Sequence, residues 1–208
     1  MWEFVDQIVF INLERRKDRL EHMNEVCKVF PPEKVQRFNA IETPGFGSIG
    51  CGRSHVAVLE LAIQNNWKNV LILEDDATWN KYEEGYAKLE QLAKKDYDVI
   101  LLGAILTDDS YYRPSHYDTE TSRVYNAQTC TAYLVHQNMY AKLRDVFTEA
   151  IDNLEVARQH WIYAIDQYWK TLQSEHYFYM VMPCMMYQYD NYSDNTNTYV
   201  TYSTSFIV

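Results

Sequence analysis

Short apolar runs rich in branched residues alternate along this chain with longer stretches whose apolar side chains recur every three or four positions. The runs Ile8 to Asn12, Val35 to Ala40, Val70 to Leu73, Asp98 to Gly103, Thr131 to Val135 and Tyr177 to Met182 predict strands. The most apolar of them suit strands buried on both faces. Four stretches carry the helical period. Ser54 reads as the cap of a helix through Asn65, with Val58, Leu61 and Ala62 on one face. Tyr82, Tyr86, Leu89 and Ala93 mark a second, and Met139, Leu143, Val146, Ala150 and Leu154 a third. Trp161, Ile165, Tyr168 and Leu172 mark a fourth, with Asp166 on its polar side. Between these elements, Pro31-Pro32 is a break, and Pro44 to Gly50 reads as either a mobile loop or a plain connector. Asp108 to Thr121 is polar and aromatic without a period, so it predicts a long loop able to cover a site. From Asn191 the chain has no helix signal and suits a closing flap or the start of a linker. Strands alternating with helices imply an α/β sandwich on a largely parallel sheet. Residues 1–190 are expected to form a single domain and residues 191–208 a C-terminal flap or tail.

Composition narrows this picture. A chain of 208 residues is long enough to bury a real core in one domain. Its net charge of −10 argues against nucleic-acid binding. No apolar run approaches the roughly 18 residues of a membrane span, and the N-terminus lacks a secretory apolar region, so no transmembrane segment and a cytoplasmic location are expected. The 18 Tyr and 5 Trp suit sugar or nucleotide sites as well as cores. Cys27, Cys51, Cys130 and Cys184 lie far apart with no C-x-x-C pair, and read as reduced core thiols, not zinc ligands.

Chemistry concentrates where Val70-Leu-Ile-Leu runs into Glu74-Asp75-Asp76. Open α/β folds bind ligands at the carboxyl edge of the sheet, where these acids would emerge. Three adjacent carboxylates repel one another, and a cation offsets that repulsion. A divalent metal site holding a phosphorylated substrate and a solvated acidic turn both fit; the abrupt change from buried strand to acids favours the metal. After the first strand, Arg15, Arg16, Lys17 and Arg19 form a basic island suited to a diphosphate. Arg15 and Lys17 read as solvated, whereas Arg16 and Arg19, three apart, share a helix face and are the better ligand contacts. Ser54 and His55 fall at an expected helix N-terminus, where partial positive charge favours an anion. His55 there reads as structural or ligand-positioning ahead of a base.

Together these segments resemble glycosyltransferase family 25, which includes lipooligosaccharide galactosyltransferases of lipopolysaccharide biosynthesis and collagen hydroxylysine galactosyltransferases. Ile8 to Leu13 with Arg16 and Asp18-Arg19 resembles its "INL-x-x-R-x-DR", and Arg37 to Ile41 its "RF-x-A-I/V". Ile49-Gly50-Cys51 with Ser54-His55 resembles "(I/L)GC-x-x-SH", and Leu71 to Asp76 matches "LILEDD". Asp98 to Gly103, Ala132 to Val135 with Ala141 to Leu143, Asp166, and Pro183 to Gln188 with Ser193-Asp194 are similar to later elements, in the family's order. Gly52-Arg53 and the residues flanking Asp166 depart from the pattern.

The resemblance implies a GT-A (Rossmann-like) nucleotide-sugar-binding sandwich. The implied activity is metal-dependent transfer of a hexose, galactose or glucose, from a UDP-sugar to a hydroxyl of a glycan or hydroxylated protein acceptor, with inversion. Mn2+ or Mg2+ would sit on Glu74 and Asp76, and the donor on Asn12, Leu13, Arg16, Arg19, Ala40, Ser54, His55 and Asp75. Asp166 would be the base or a sugar-orienting residue; a helix-start cap suits it nearly as well. Two rivals stand beside this. Glu74-Asp75-Asp76-Ala77-Thr78 imitates the D-x-D-x-T loop of haloacid-dehalogenase-type phosphotransferases, but with Glu where the nucleophilic Asp belongs. A non-catalytic nucleotide-sugar-binding module is the other.

Overall fold

In a computed structural model of the protein, residues 1–106, 118, 121–194 and 198–201 are described. The elements in chain order are β1 (Gln7–Asn12), α1 (Lys17–Val26), β2 (Val35–Asn39), α2 (Gly47–Gln64), β3 (Asn69–Glu74), β4 (Ala77–Trp79), α3 (Tyr82–Leu92) and β5 (Val99–Leu106). There follow β6 (Ala127–His136), α4 (Gln137–Ala157), α5 (His160–Tyr163), α6 (Ile165–Tyr168), β7 (Phe178–Met180), β8 (Met186–Gln188), β9 (Asn191–Ser193) and β10 (Thr198–Val200).

Six strands form one sheet in the order β2-β1-β3-β6-β5-β7. β1 pairs parallel with β2 and β3, and β5 with β7; β6 runs antiparallel to both its neighbours. The alternation of side chains along each strand explains the three layers. Val9, Ile11, Val70, Ile72, Val99, Leu101, Tyr133 and Val135 face one way and pack with Val58 and Leu59 of α2 and Leu143 and Phe147 of α4. Ile8, Phe10, Leu71, Leu73, Ile100, Leu102 and Leu134 face the other way, against Met23 of α1 and Leu89 of α3. The run Val70 to Leu73 is fully buried because both of its faces are covered. The α/β sandwich on a mostly parallel sheet is therefore the architecture, and β6 is the antiparallel exception.

Several elements differ from the sequence pattern, each for a physical reason. α2 begins at Gly47, seven residues before Ser54, so much of the glycine-rich segment is helix. Ser54 lies inside that helix: its hydroxyl donates to the Gly50 carbonyl at 2.7 Å and accepts from the Ile41 N–H at 2.8 Å. Gly50 permits this close packing, since a Cβ there would stand 2.3 Å from the Ile41 carbonyl oxygen. The fourth helical pattern is broken at Ala164, whose extended ψ of 144° separates α5 from α6, and Trp161 is exposed. Beyond β7, β8 pairs antiparallel with β4, and β9 with β10. At Gly103 a Cβ would meet the Met186 carbonyl oxygen at 1.8 Å, so only glycine lets β8 approach β5 this closely. Most of the loop expected over Asp108 to Thr121, and the tail beyond residue 201, lie outside the described residues.

Candidate active site

The carboxyl ends of β1 and β3, the start of α2 and the chain around β8 and β9 enclose a cavity of about 260 Å³. Its walls include Leu13, Arg15, Arg19, Ala40, Glu42, Thr43, Phe46, Gly47, Cys51, Ser54, His55, Glu74, Asp75, Asp76, Gln188 and Asp194. Parallel pairing of β1 with β3 is what sets Asn12 beside the acidic motif, since Ile11 is in register with Glu74.

Each acid has its own partners. Asp75 accepts from Asn12 Nδ2 at 2.7 Å and from Arg19 at 2.5 Å. Asn12 is itself oriented by Arg37, whose Nε donates to its Oδ1 at 3.0 Å. Arg19 also lies 3.2 Å from Asp76 Oδ2 and donates to the Asn191 side chain and the Tyr192 carbonyl. Arg19 is thus a buried counter-charge for the acids as well as part of the cavity wall. Glu74 Oε2 accepts from Gln188 Nε2 at 2.7 Å, and the same amide lies 3.3 Å from Asp76 Oδ1. Gln188 reaches both because β4–β8 pairing places it opposite Ala77.

The electrostatics differ between neighbours. Burial pushes the Asp76 carboxyl up to about 7, with Glu74 and Asp75 adding to the rise and Arg19 opposing it. Burial also works to raise Glu74, but His55 and Arg19 outweigh it and hold the carboxyl below its ordinary value. His55 is fully buried, with Nδ1 2.7 Å from the Tyr133 hydroxyl and Nε2 3.6 Å from Glu74 Oε1. Three buried polar atoms without a hydrogen-bond partner among the described residues belong to the cavity wall: Arg19 Nε, Thr43 Oγ1 and His55 Nε2. Glu74 and Asp76, converging on the Gln188 amide, are oxygen donors suited to a hard divalent ion.

The remaining candidates spread out. Leu13 and Ala40 line the cavity. Arg16 turns from it: its guanidinium pairs with Asp18 at 2.7 Å and Asp194 at 2.5 Å, tying the β9 segment to the start of α1. Arg15, expected to be solvated, lines the cavity while half exposed and contacts Glu42 at 2.7 Å and Asp194 at 2.8 Å. Asp166 does not line the cavity; its Oδ2 accepts from the Thr129 N–H at 3.1 Å. It is near enough for the Glu74 charge, after burial, to raise its pKa. Sequence reasoning left out Glu42, Thr43 and Asn191 and gave Gln188, Asp194 and Cys51 no role, although the last three stand in the motifs quoted above. Among the described residues of the wall, Phe46 is the one Phe, Tyr or Trp.

Comparison with curated protein sequences gives no match. Among solved structures, the fold is similar to a glycosyltransferase involved in the glycosylation of the major capsid of PBCV-1, at 10% identity and TM-score 0.47, over 84% of this chain and 80% of that one. It is also similar to the glycosyltransferase GlyE of Streptococcus pneumoniae, at 10% identity and TM-score 0.46, over 86% of this chain and 45% of that one. A mannose-1-phosphate geranyltransferase from Thermus thermophilus matches at 13% identity and TM-score 0.43, over 84% of this chain and 72% of that one. None of these likenesses is strong enough to assign the chain. The sequence itself matches the family described as glycosyltransferase family 25 (LPS biosynthesis protein) over residues 44–169, which hold α2, the acidic motif and Asp166. That match spans more than half of the chain and leaves no place for the phosphotransferase alternative: this protein belongs to glycosyltransferase family 25.

Proposed function

We propose that this glycosyltransferase moves a hexose, galactose or glucose, from a UDP-sugar to a hydroxyl of a glycan or hydroxylated protein side chain, with inversion and with a divalent ion. The observation that carries the reading is the convergence of Glu74 and Asp76 on one cavity wall with Arg15, the start of α2 and His55 around it. Glu74 and Asp76 are the residues that would hold Mn2+ or Mg2+, which when bound supplies positive charge against the donor diphosphate. Arg15 and the N-terminal turn of α2 offer further positive potential to the same group. Asn12 and Arg19 hold the Asp75 carboxylate in place, so the acidic turn keeps its shape while the donor enters.

Asp166 serves as base in this reading. Burial and the Glu74 charge raise its pKa above the ordinary carboxylate value, which makes it a stronger proton acceptor once ionised. It takes the proton of the acceptor hydroxyl as that oxygen attacks the anomeric carbon. The bond from this carbon to the diphosphate oxygen breaks, and its electron pair leaves with UDP. Raised pKa and proximity to Glu74 support this role; the Thr129 contact would orient the carboxylate for it.

Two variants separate the roles. Asp76→Asn is expected to lose Mn2+-dependent UDP binding and transfer together. Asp166→Asn keeps an acceptor for the Thr129 N–H and is expected to bind UDP and Mn2+ normally, while transfer falls by roughly 10²–10⁴-fold. Calorimetry with UDP and Mn2+, run beside a transfer assay, reads both. Normal transfer by a folded Asp166→Asn protein removes Asp166 from the chemistry. Binding of UDP-sugar without any transfer in wild type points to a nucleotide-sugar-binding module instead.

A further inference from the structure

Cys51 and His55 lie four residues apart on α2, so they share one helical face, and that face meets the end of β3 at Glu74. Cys51 Sγ stands 3.6 Å from Glu74 Oε1, and His55 Nε2 stands 3.6 Å from the same oxygen. All three donor atoms lie within 4.8 Å of one another. Metal bonds of about 2.0–2.3 Å at a tetrahedral angle separate neighbouring donor atoms by about 3.3–3.6 Å. The two spacings to Glu74 Oε1 are thus already those of a coordinated zinc ion.

Two further features point to a ligand. His55 is fully buried, yet its Nε2 has no hydrogen-bond partner among the described residues. The other ring nitrogen is held by the Tyr133 hydroxyl at 2.7 Å, the outer contact that orients metal-binding histidines. Cys51, His55 and Glu74 also line the cavity, which leaves a fourth coordination position open.

We propose that Cys51, His55 and Glu74 form a thiolate-containing site for Zn2+, and that zinc bound there excludes the hard divalent ion of the transfer reaction because both need Glu74. The exclusion rests on the function proposed above; the zinc site does not. A Cys, His and carboxylate set favours zinc over manganese, through the sulfur ligand and through the general order of affinities. Binding replaces the Cys51 thiol proton, which passes to solvent. The sequence hid the site because the other cysteines take no part: the partners of Cys51 are a histidine and a carboxylate.

Cobalt is the probe, since a thiolate bonded to Co2+ absorbs in a charge-transfer band. The metal-free full chain, titrated with Co2+, is expected to develop that band at one ion per chain and to lose it when Zn2+ is added. Cys51→Ser should abolish the band, and Tyr133→Phe should weaken cobalt binding about 10–100-fold. On the wild-type protein, zinc should protect Cys51 from alkylation by iodoacetamide, mapped by mass spectrometry, which needs no variant to fold. Absence of the band, its survival in Cys51→Ser, or unprotected Cys51 overturns the site. Zinc should also abolish the calorimetric signal of Mn2+ with UDP in wild type; zinc binding that leaves this signal intact overturns the exclusion. A wild-type protein that binds cobalt through Cys51 but never binds Mn2+ with UDP contradicts the proposed function alone.

Discussion

At the scale of single residues, the acidic motif works as three differently placed carboxylates. Asp75 is held by Asn12 and Arg19, Glu74 by Gln188, Cys51 and His55, and Asp76 shares Arg19 and Gln188 with them. Removing the cation from this set leaves buried charge without compensation. Arg19→Met is accordingly expected to destabilise the metal-free protein by about 3–5 kcal/mol, and Mn2+ should restore part of the loss. Thermal melting of both proteins with and without the ion measures it; an unchanged melting temperature in the variant contradicts the counter-charge role. Asp76 has a pH signature. Its folded pKa is raised above the ordinary carboxylate value, so between about pH 4 and 7 the folded state holds the proton that the unfolded state has lost. Its contribution to stability is full at pH 4 and declines as pH rises through about 7. The stability difference between wild type and Asp76→Asn, from denaturant titrations in chelator, should shift against wild type across that window, and a flat difference removes the raised pKa.

At the scale of elements, the wall opposite the sheet is built by the segment carrying β9. Arg16 and Arg15 meet Asp194, and Arg19 meets Asn191 and Tyr192, so the basic island holds this segment against α1. Burial works to raise the Asp194 carboxyl, but its bonds to Arg15 and Arg16 prevail and hold it below its ordinary value. Arg16→Ala is expected to speed amide hydrogen exchange at Tyr192 to Asp194 while leaving α4 protected, because α4 belongs to the core layer. Unaltered exchange in that segment would show that the pair is dispensable. The helices were readable where one apolar stripe met one layer, as in α4. They were misread where glycine and a close backbone contact, not a cap, set the start, as in α2.

At the scale of the whole molecule, two helical layers enclose a sheet whose carboxyl edge gathers acids on a chain of net charge −10. Under the function proposed above, a diphosphate would enter such a cavity together with a cation. A thermal-shift screen of nucleotide sugars should therefore give little change in chelator. With Mn2+, the right UDP-sugar at about 100 times its Kd should add about 2.7 kcal/mol of stability. An equal shift in chelator argues against the metal. No helix among the described residues is long and apolar enough to cross a membrane.

The sequence alone determined the layered α/β architecture, because strand and helix periods are local and each apolar run had to be covered on both faces. It also determined the acidic edge, since the change from Val70-Leu-Ile-Leu to Glu74-Asp75-Asp76 is visible in order, and the family, through spaced motifs. Only the tertiary structure decided what each charge does. That Arg19 neutralises Asp75 and Asp76 while Arg16 ties down Asp194 depends on which strands are neighbours and on how β4 and β8 pair. The meeting of Cys51, His55 and Glu74 has the same origin: a contact between a helix face and a strand end is a distance in space, and spacing along the chain does not encode it.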